Sequence, residues 1–377
     1  MQKLFIRIRI CLLVTLFFTT SRFAYASNVN EITKESFNLK PGIIRHIIKT
    51  KNDKGPVIAN VLEIDLSKKN ISVKVGLADK NKIKAKDTLL NIVENYMAYI
   101  GINANYFDVK VGNPLGVLIT QGDWLTGSIY NRPAIGFTKD KNILINQVKL
   151  IGNVTVRRGF RKKPRSMFEI DGLNTPLNLY TNVGFFDSRW DSELTLPQNI
   201  YGAVIKKNRV KNVVQGLIKT SKGGYILVSH DNYSIKDNLI QKDRLDIKWQ
   251  SSPDWSNIRE AVSGGPYLIM DGQVYVDEAE EHFKFAKKDR RASRSAIGVD
   301  YKGKLYLIAV CGEKNGYSEG VTLTELADLL KNLNLKDAIN LDGGGSTTLI
   351  VDGKIINELS QHHKRKITNG LLILYKE

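Results

Sequence analysis

The stretch "INLDGGGSTTLIVDG", residues 339–353, decides how the rest of the chain is read. Upstream, "AINL" (338–341) reads as a short buried strand. Downstream, "TTLIVDGKII" (347–356) reads as a strand turning back at Asp352-Gly353, a dipeptide suited to a two-residue hairpin turn. Asp342 therefore lies in a loop between two strands, at the mouth of a sheet. Three glycines remove every side chain between Asp342 and Ser346. They permit positive φ angles and let a ligand approach the backbone closely. No lysine follows the glycines and the next element is a strand, so this is not a nucleotide-binding P-loop. By itself the run reads equally as a flexible hairpin connection.

Before this loop, Thr322 and Glu325 form a T-x-x-E capping box. Leu323, Leu326, Ala327, Leu330 and Leu333 then recur at about the helical period. A second helix is expected over "KDTLLNIVENYMAYI" (86–100). Strand-like runs dominate elsewhere, among them "VIANVLEIDL" (57–66) and "NISVKVGLA" (70–78). Residues 141–250 read as a β-rich elaboration on the sheet. There is also an internal echo. "GVLITQG" (116–122) resembles "PYLIMDG" (266–272), and each precedes an arginine and an "AIG" strand, at 132–136 and 294–298. Two similar hairpin units would place Arg132 and Arg294 at equivalent positions. These patterns predict an α+β fold: a large, twisted, mixed β-sheet core with flanking helices, pseudo-duplicated hairpin units and the β-rich middle insertion. The expected divisions are 1–26, a polar segment 27–56 and a main domain 57–377.

The chain has 377 residues, 42% of them hydrophobic, enough for a large core. Residues 1–26 carry Lys3, Arg7, Arg9 and Arg22 and no acid, then the apolar run "ICLLVTLFF" (10–18) and "AYA" (24–26). That order reads as a secretory signal peptide cleaved near Ala26, with an uncleaved anchor as the alternative. The run is short for a stable bilayer span, and no second stretch is long enough to cross. Export to a periplasmic or extracellular location is the expectation. Of the 56 basic residues four leave with the signal and of the 38 acidic none, so the mature net charge is +14. In an exported protein such charge favours anionic glycans or membrane surfaces over nucleic acid. Cys11 leaves too, and Cys311 in "LYLIAVCG" reads as a buried small hydrophobe. A zinc cluster of cysteine and histidine is excluded by count, and His46, His230, His282, His362 and His363 show no metal-ligand spacing. No metal or cofactor is expected.

Several other stretches supply polar chemistry. "INANYFD" (102–108) groups Asn103, Asn105 and Asp108 beside an aromatic pair, although an Asx turn gives the same residues. "VSGGPYLI" (262–269) is a second glycine-rich loop, with Gly264 and Gly265. "RRASRSAIG" (290–298) brings together Arg290, Arg291 and Arg294, and a guanidinium fork suits phosphate. "HHKRKITNG" (362–370) adds His363, a candidate proton shuttle, with Arg365 and Asn369. Together they suggest a partly cationic cleft built from loops at strand ends.

In that order, "GINANYFD", "VSGGPYLIMDG", "SRSAIG", "GVTLTELADLL" and "INLDGGGSTT" resemble the phosphodiester glycosidase family over about residues 57–377. "LNLYT" (177–181) and "GGYILVS" (223–229) resemble its bacterial members. The resemblance implies hydrolysis of a sugar-1-phosphodiester at the anomeric carbon. It implies catalytic roles for Asp342 and Asp108. Substrate binding would fall to Asn103, Gly264, Gly265, Arg294, Gly343, Gly344, Gly345, Ser346, Arg365 and Asn369. The sequence departs from the family at Ala104 and Asn105, where glycines are frequent, and at Ser293, where proline is. Two other readings stand beside it. One is a non-catalytic polysaccharide-binding factor in exopolysaccharide assembly. The other is a metal-dependent phosphodiesterase acting on the phosphate.

Overall fold

The computed structural model describes residues 32–377 except 53, 160–162, 180–181, 192, 199, 221–222, 230–233, 278, 280, 282–289 and 361–363. Residues 1–26, expected to be a signal, and four of the five histidines, His46 excepted, lie outside the described residues. Among the described residues there are thirty strands and three α-helices, of 7, 4 and 10 residues. The expected α+β class is therefore corrected: the protein is mostly β, built from several sheets. The expected mixed sheet is corrected as well. Every described pairing of strands is antiparallel except Gly172–Leu173 against Val183–Asp187. The physical reason lies in what covers the sheets. Most inner faces are buried by other sheets, so few helices are needed.

Four sheets carry the architecture. The first runs in the order Thr33–Lys40, Ile43–Asn52, Gly55–Ile64, Leu305–Val310, Arg294–Asp300, Leu335–Asn340, Tyr267–Met270, Gln273–Val274. The polar segment 27–56 thus contributes an edge hairpin, Thr33–Lys40 with Ile43–Asn52, to this sheet. The second runs Lys354–Ile355, Leu349–Val351, Ile100–Asn103, Asn369–Tyr375, Ile71–Leu77. The third runs Ile143–Gln147, Pro133–Thr138, Ile258–Ser263, Leu118–Thr120, Asp123–Thr126. The fourth is built from eight strands within residues 149–252.

One apolar cluster joins the first three sheets: Leu62, Ile297 and Leu307 meet Ile102 and Leu371 and also Leu118 and Ile135. Full burial stabilises each such side chain by roughly 1.5–3 kcal/mol. The helix Leu323–Asn332, with the predicted capping box at Thr322 and Glu325, covers the back of the first sheet through Leu326 and Leu330. The helix predicted over 86–100 is only Leu89–Asn95, capped by the Thr88 side chain. It lays Ile92 on Leu372 behind the second sheet. The chain leaves it early because residues from Ile100 onward are claimed by strand pairing on both sides.

The internal echo has a structural counterpart. In the third sheet, two hairpins flank a strand contributed later in the chain, Ile258–Ser263. In the first sheet, two hairpins flank Leu335–Asn340 in the same way. The registers match too. Ala134, Ile135 and Gly136 pair with Ser263, Val262 and Ala261. Ala296, Ile297 and Gly298 pair with Asn340, Ile339 and Ala338. Arg132 and Arg294 stand two residues before the matched alanines. The "SGG" loop is thereby the counterpart of the "NLDGG" loop, and the two touch. The Gly265 amide donates to the Asn340 carbonyl at 2.7 Å, and the Asn340 amide donates to the Pro266 carbonyl at 3.0 Å.

Candidate functional site

Asp342 follows the strand Leu335–Asn340, and its loop leads into Leu349–Val351 of the second sheet. The loop therefore bridges two sheets, and hydrogen bonds from both fix it. The Leu341 amide donates to the Ser295 carbonyl at 2.8 Å, and the Asp342 amide to the Ala104 carbonyl at 3.1 Å. The Gly344 amide donates to the Ser293 carbonyl at 2.7 Å. Gly344, with φ of 58°, alone among the three glycines takes the left-handed conformation that opens a short 3₁₀ turn at Gly344–Ser346.

The Asp342 carboxyl keeps a partly open face but is otherwise ringed by protein. Loss of solvation raises its pKa from 3.8 to about 6. Ser346, Arg365 and the Gly343 amide oppose that rise without cancelling it. The Ser346 hydroxyl, itself 1% exposed, lies near enough to favour the charged carboxylate but misses hydrogen-bond geometry. No second carboxylate registers among the causes of the shift.

Arg365 is half-buried, and its guanidinium makes no hydrogen bond or ion pair with the described residues. A nearby cation with unoccupied donors is suited to an anionic ligand. The Gly344 amide is taken by the Ser293 carbonyl. Those of Gly343 and Gly345 make no hydrogen bond with the described residues, and the Gly343 amide acts on Asp342 only through proximity.

Arg294 approaches the same loop. A Cβ on Gly343 would stand 3.7 Å from Arg294 Cδ. Its guanidinium donates to the carbonyls of Val321, at 3.2 Å, and Arg290, at 2.7 Å, which fixes its direction. Tyr106 lies between these groups. Its phenol feels Asp342, Arg294, Arg132 and Glu281, and burial drives its pKa well above the ordinary value. The Tyr106 hydroxyl donates to the Gly265 carbonyl at 3.0 Å and accepts from Asn340 Nδ2 at 2.6 Å. Tyr106 and Asn340 were not singled out from the sequence. The aromatic position in "INANYFD" was the available signal.

Several predicted binding residues have other work. Asn103 is 1% exposed: Nδ2 donates to the Asp342 carbonyl at 2.5 Å, and Oδ1 accepts from Ser295 Oγ and the Thr348 amide at 2.7 and 3.1 Å. These bonds clamp the Asp342 loop. Asn369, also 1% exposed, accepts from the Asn105 amide at 3.1 Å and donates to Thr368 Oγ1 at 2.9 Å. Gly264 and Gly265 are buried, and a Cβ on Gly264 would stand 2.2 Å from the Asn340 carbonyl oxygen. They let the two loops meet. Asp108 sits on an exposed turn, its Oδ1 accepting from the amides of Lys110 and Val111 at 2.8 and 3.0 Å. That geometry is the Asx turn, the other reading of these residues.

The arginine cluster also divides. Both guanidinium nitrogens of Arg291 pair with Glu325, at 2.6 and 2.5 Å, and Arg290 pairs with Glu313 at 3.1 Å. Arg294 alone of the three faces the loop. Cys311 is fully buried, and burial raises its thiol pKa. His363 lies outside the described residues. Among the described residues no three His, Cys, Asp or Glu side chains gather as a metal site, and no helix is long and apolar enough to cross a membrane.

With this geometry in hand, comparison with known proteins is informative. The profile of the family described as phosphodiester glycosidase matches residues 181–374, about half of the chain. The mouse N-acetylglucosamine-1-phosphodiester alpha-N-acetylglucosaminidase is 33% identical over 213 residues, 54% of this chain and 37% of that protein. The matches to it and to its bovine and human counterparts span 37%, 30% and 21% of the relatives' lengths. A hypothetical protein from Synechocystis of known structure superposes with a TM-score of 0.82 at 23% identity, over 91% of this chain and 64% of that one. The catalytic domain of the zebrafish N-acetylglucosamine-1-phosphodiester alpha-N-acetylglucosaminidase superposes with a TM-score of 0.53 at 18% identity, over 92% and 88%. At these identities the two structures speak to the fold alone.

Proposed function

The chain belongs to the phosphodiester glycosidase family, and from that premise we propose that it is an exported hydrolase cleaving a sugar-1-phosphodiester at the anomeric carbon, within an envelope or extracellular glycan. One observation carries the reading: a carboxyl with its pKa raised to about 6 stands beside the guanidinium of Arg365, whose donors are not taken up by described residues. The mature charge of +14 and the signal-like first 26 residues support the anionic, extracytoplasmic substrate. The relatives' names make N-acetylglucosamine the first sugar to test.

The chemistry follows from the leaving group. A phosphate monoester departs as a stable anion at neutral pH, so no acid needs to protonate it. The paired carboxylates of ordinary glycosidases are then not required. Asp342 supplies an electron pair to the anomeric carbon, directly or by taking a proton from an attacking water. The bond from that carbon to the phosphate oxygen breaks, and its electrons leave with the phosphate. Arg365 and Arg294 hold the phosphate oxygens, and the Gly345 amide adds a neutral donor. Asn103 and Asn340 hold the loop and Tyr106 in place.

Purified mature protein is incubated with a panel of sugar-1-phosphodiesters, with release of reducing sugar as the readout. Hydrolysis in ¹⁸O-labelled water places the label on the sugar if the anomeric bond breaks and on the phosphate if the ester bond breaks. Label on the phosphate, or undiminished turnover by Asp342→Asn, would refute the assignment.

A further inference from the structure

A cavity of about 380 Å³ lies outside the groups just described, between the third sheet and the fourth. Its size falls within the roughly 300–1,000 Å³ of small-ligand sites. It is lined by Tyr130, Asn131, Gln147, Lys149, Asp171 and Asn178, among others. Asn178 belongs to the "LNLYT" stretch, which the catalytic site leaves unexplained.

The lining has a definite chemistry. Asn131, Asn178 and Lys149 are exposed and Gln147 is half-exposed. None of these four side chains makes a hydrogen bond or ion pair with another described residue. Asp171 is different: its carboxylate accepts from the amides of Asn182 and Val183 at 3.0–3.2 Å, which holds it rigid at the wall. Tyr130 is 44% exposed and has φ of 48°, a backbone conformation rare for a bulky residue. Such outliers persist where surrounding structure enforces them, frequently at ligand sites. Side-chain amides matched with an aromatic face suit a pyranose. Amides donate to and accept from its hydroxyls, and the electron-rich ring face meets its C–H face.

The cavity is also connected to the reaction centre. The Arg132 guanidinium carbon lies 5.5 Å from the Tyr130 ring centroid and 5.5 Å from that of Tyr106. Tyr106 in turn feels Asp342. Arg132 is the positional counterpart of Arg294, and both arginines act on Tyr106.

We propose that the Tyr130 cavity is a carbohydrate subsite that binds a sugar of the leaving group beyond the one esterified to the phosphate. The leaving group then carries at least two sugars. Arg132 bridges the subsite to the phosphate. This proposal rests on the hydrolase reading above, but the test below does not depend on turnover.

The full mature chain is titrated with glucose 6-phosphate and with maltotriose carrying a terminal 6-phosphate, by calorimetry. Both resemble a departing phosphate monoester, and only the second reaches a remote subsite. The trisaccharide phosphate is expected to bind at least tenfold more tightly. That advantage is expected to fall to less than threefold in the double variant Asn131→Ala, Asn178→Ala, two surface positions whose truncation leaves the core untouched. Equal affinity of the wild-type chain for the two phosphates, binding of neither, or an advantage surviving in the double variant would each overturn the subsite. Failure of the hydrolase reading looks different: the trisaccharide advantage persists while no phosphodiester is cleaved.

Discussion

Replacing Asp342 by asparagine should stabilise the protein, and by an amount that depends on pH. An aspartate in the unfolded chain titrates near its ordinary value, whereas folded Asp342 titrates at about 6. A carboxyl whose folded pKa is raised binds its proton more tightly in the native state. Stability is therefore full at low pH, falls as pH rises through the window from about 4 to 6, and stays lowered above it. Roughly two pH units at 1.36 kcal/mol each give a penalty of about 3 kcal/mol at pH 8. Asparagine removes the buried charge but weakens the contacts with Ser346 and the Gly343 amide, a loss of about 1 kcal/mol. The net expectation is that Asp342→Asn is about 2 kcal/mol more stable than wild type at pH 8 and no more stable at pH 4. Urea unfolding of both proteins at unit steps from pH 4 to 8 measures this, since other titrating groups cancel in the comparison. A difference that does not change with pH, or an asparagine variant less stable at pH 8, would refute the argument that desolvation dominates at Asp342.

Other outcomes follow from the same geometry. The kcat/KM for a sugar-1-phosphodiester should rise with pH through about 6 as Asp342 ionises, then level off, and a flat profile from pH 5 to 7 would remove Asp342 from the rate. Arg365→Gln should raise KM by roughly tenfold to a hundredfold, the loss of one charge-assisted contact. It should also move the pH midpoint upward, because Arg365 lowers the Asp342 pKa. Asn103→Ala should destabilise by about 2–3 kcal/mol in urea unfolding and lower kcat, since the Asp342 carbonyl and the Thr348 amide both lose their partner. Gly264→Ala should cost about 3 kcal/mol or more, because its methyl would meet a backbone oxygen at 2.2 Å that cannot retreat without breaking the Leu335–Asn340 pairing.

Much of the site was legible because glycine and charge leave marks in one dimension. Asp342 and its glycines, Arg294 and Arg365 stood out by residue type and were tied together by the family resemblance; Arg365 acts on Asp342, and Arg294 packs near Gly343. The fold class was not legible. The pattern over 86–100 fits a helix, yet Ile100–Asn103 is claimed by two neighbouring strands, and pairing across the chain overrides local propensity. The asparagines misled for a related reason. Asn103 and Asn369 carry sugar-binding chemistry, but burial turns their amides onto backbone and hydroxyl partners within the protein. Arg290 and Arg291 looked equivalent to Arg294 until Glu313 and Glu325, distant in sequence, took them as ion partners.

By itself the sequence determined the local events: a capped helix at Leu323, a turn at Asp352-Gly353, a bare loop after Asp342, and a repeated hairpin with an arginine before each "AIG" strand. These depend on neighbours within a few residues, where sterics and hydrogen bonding act directly. Only the tertiary structure decided that the repeat's two arginines both act on Tyr106, and that the two glycine loops meet at the Asn340 carbonyl. It also decided that Asp342 loses enough solvent to titrate at about 6. Solvation and proximity belong to the assembled chain. They depend on groups hundreds of residues apart, whose distances no local pattern encodes.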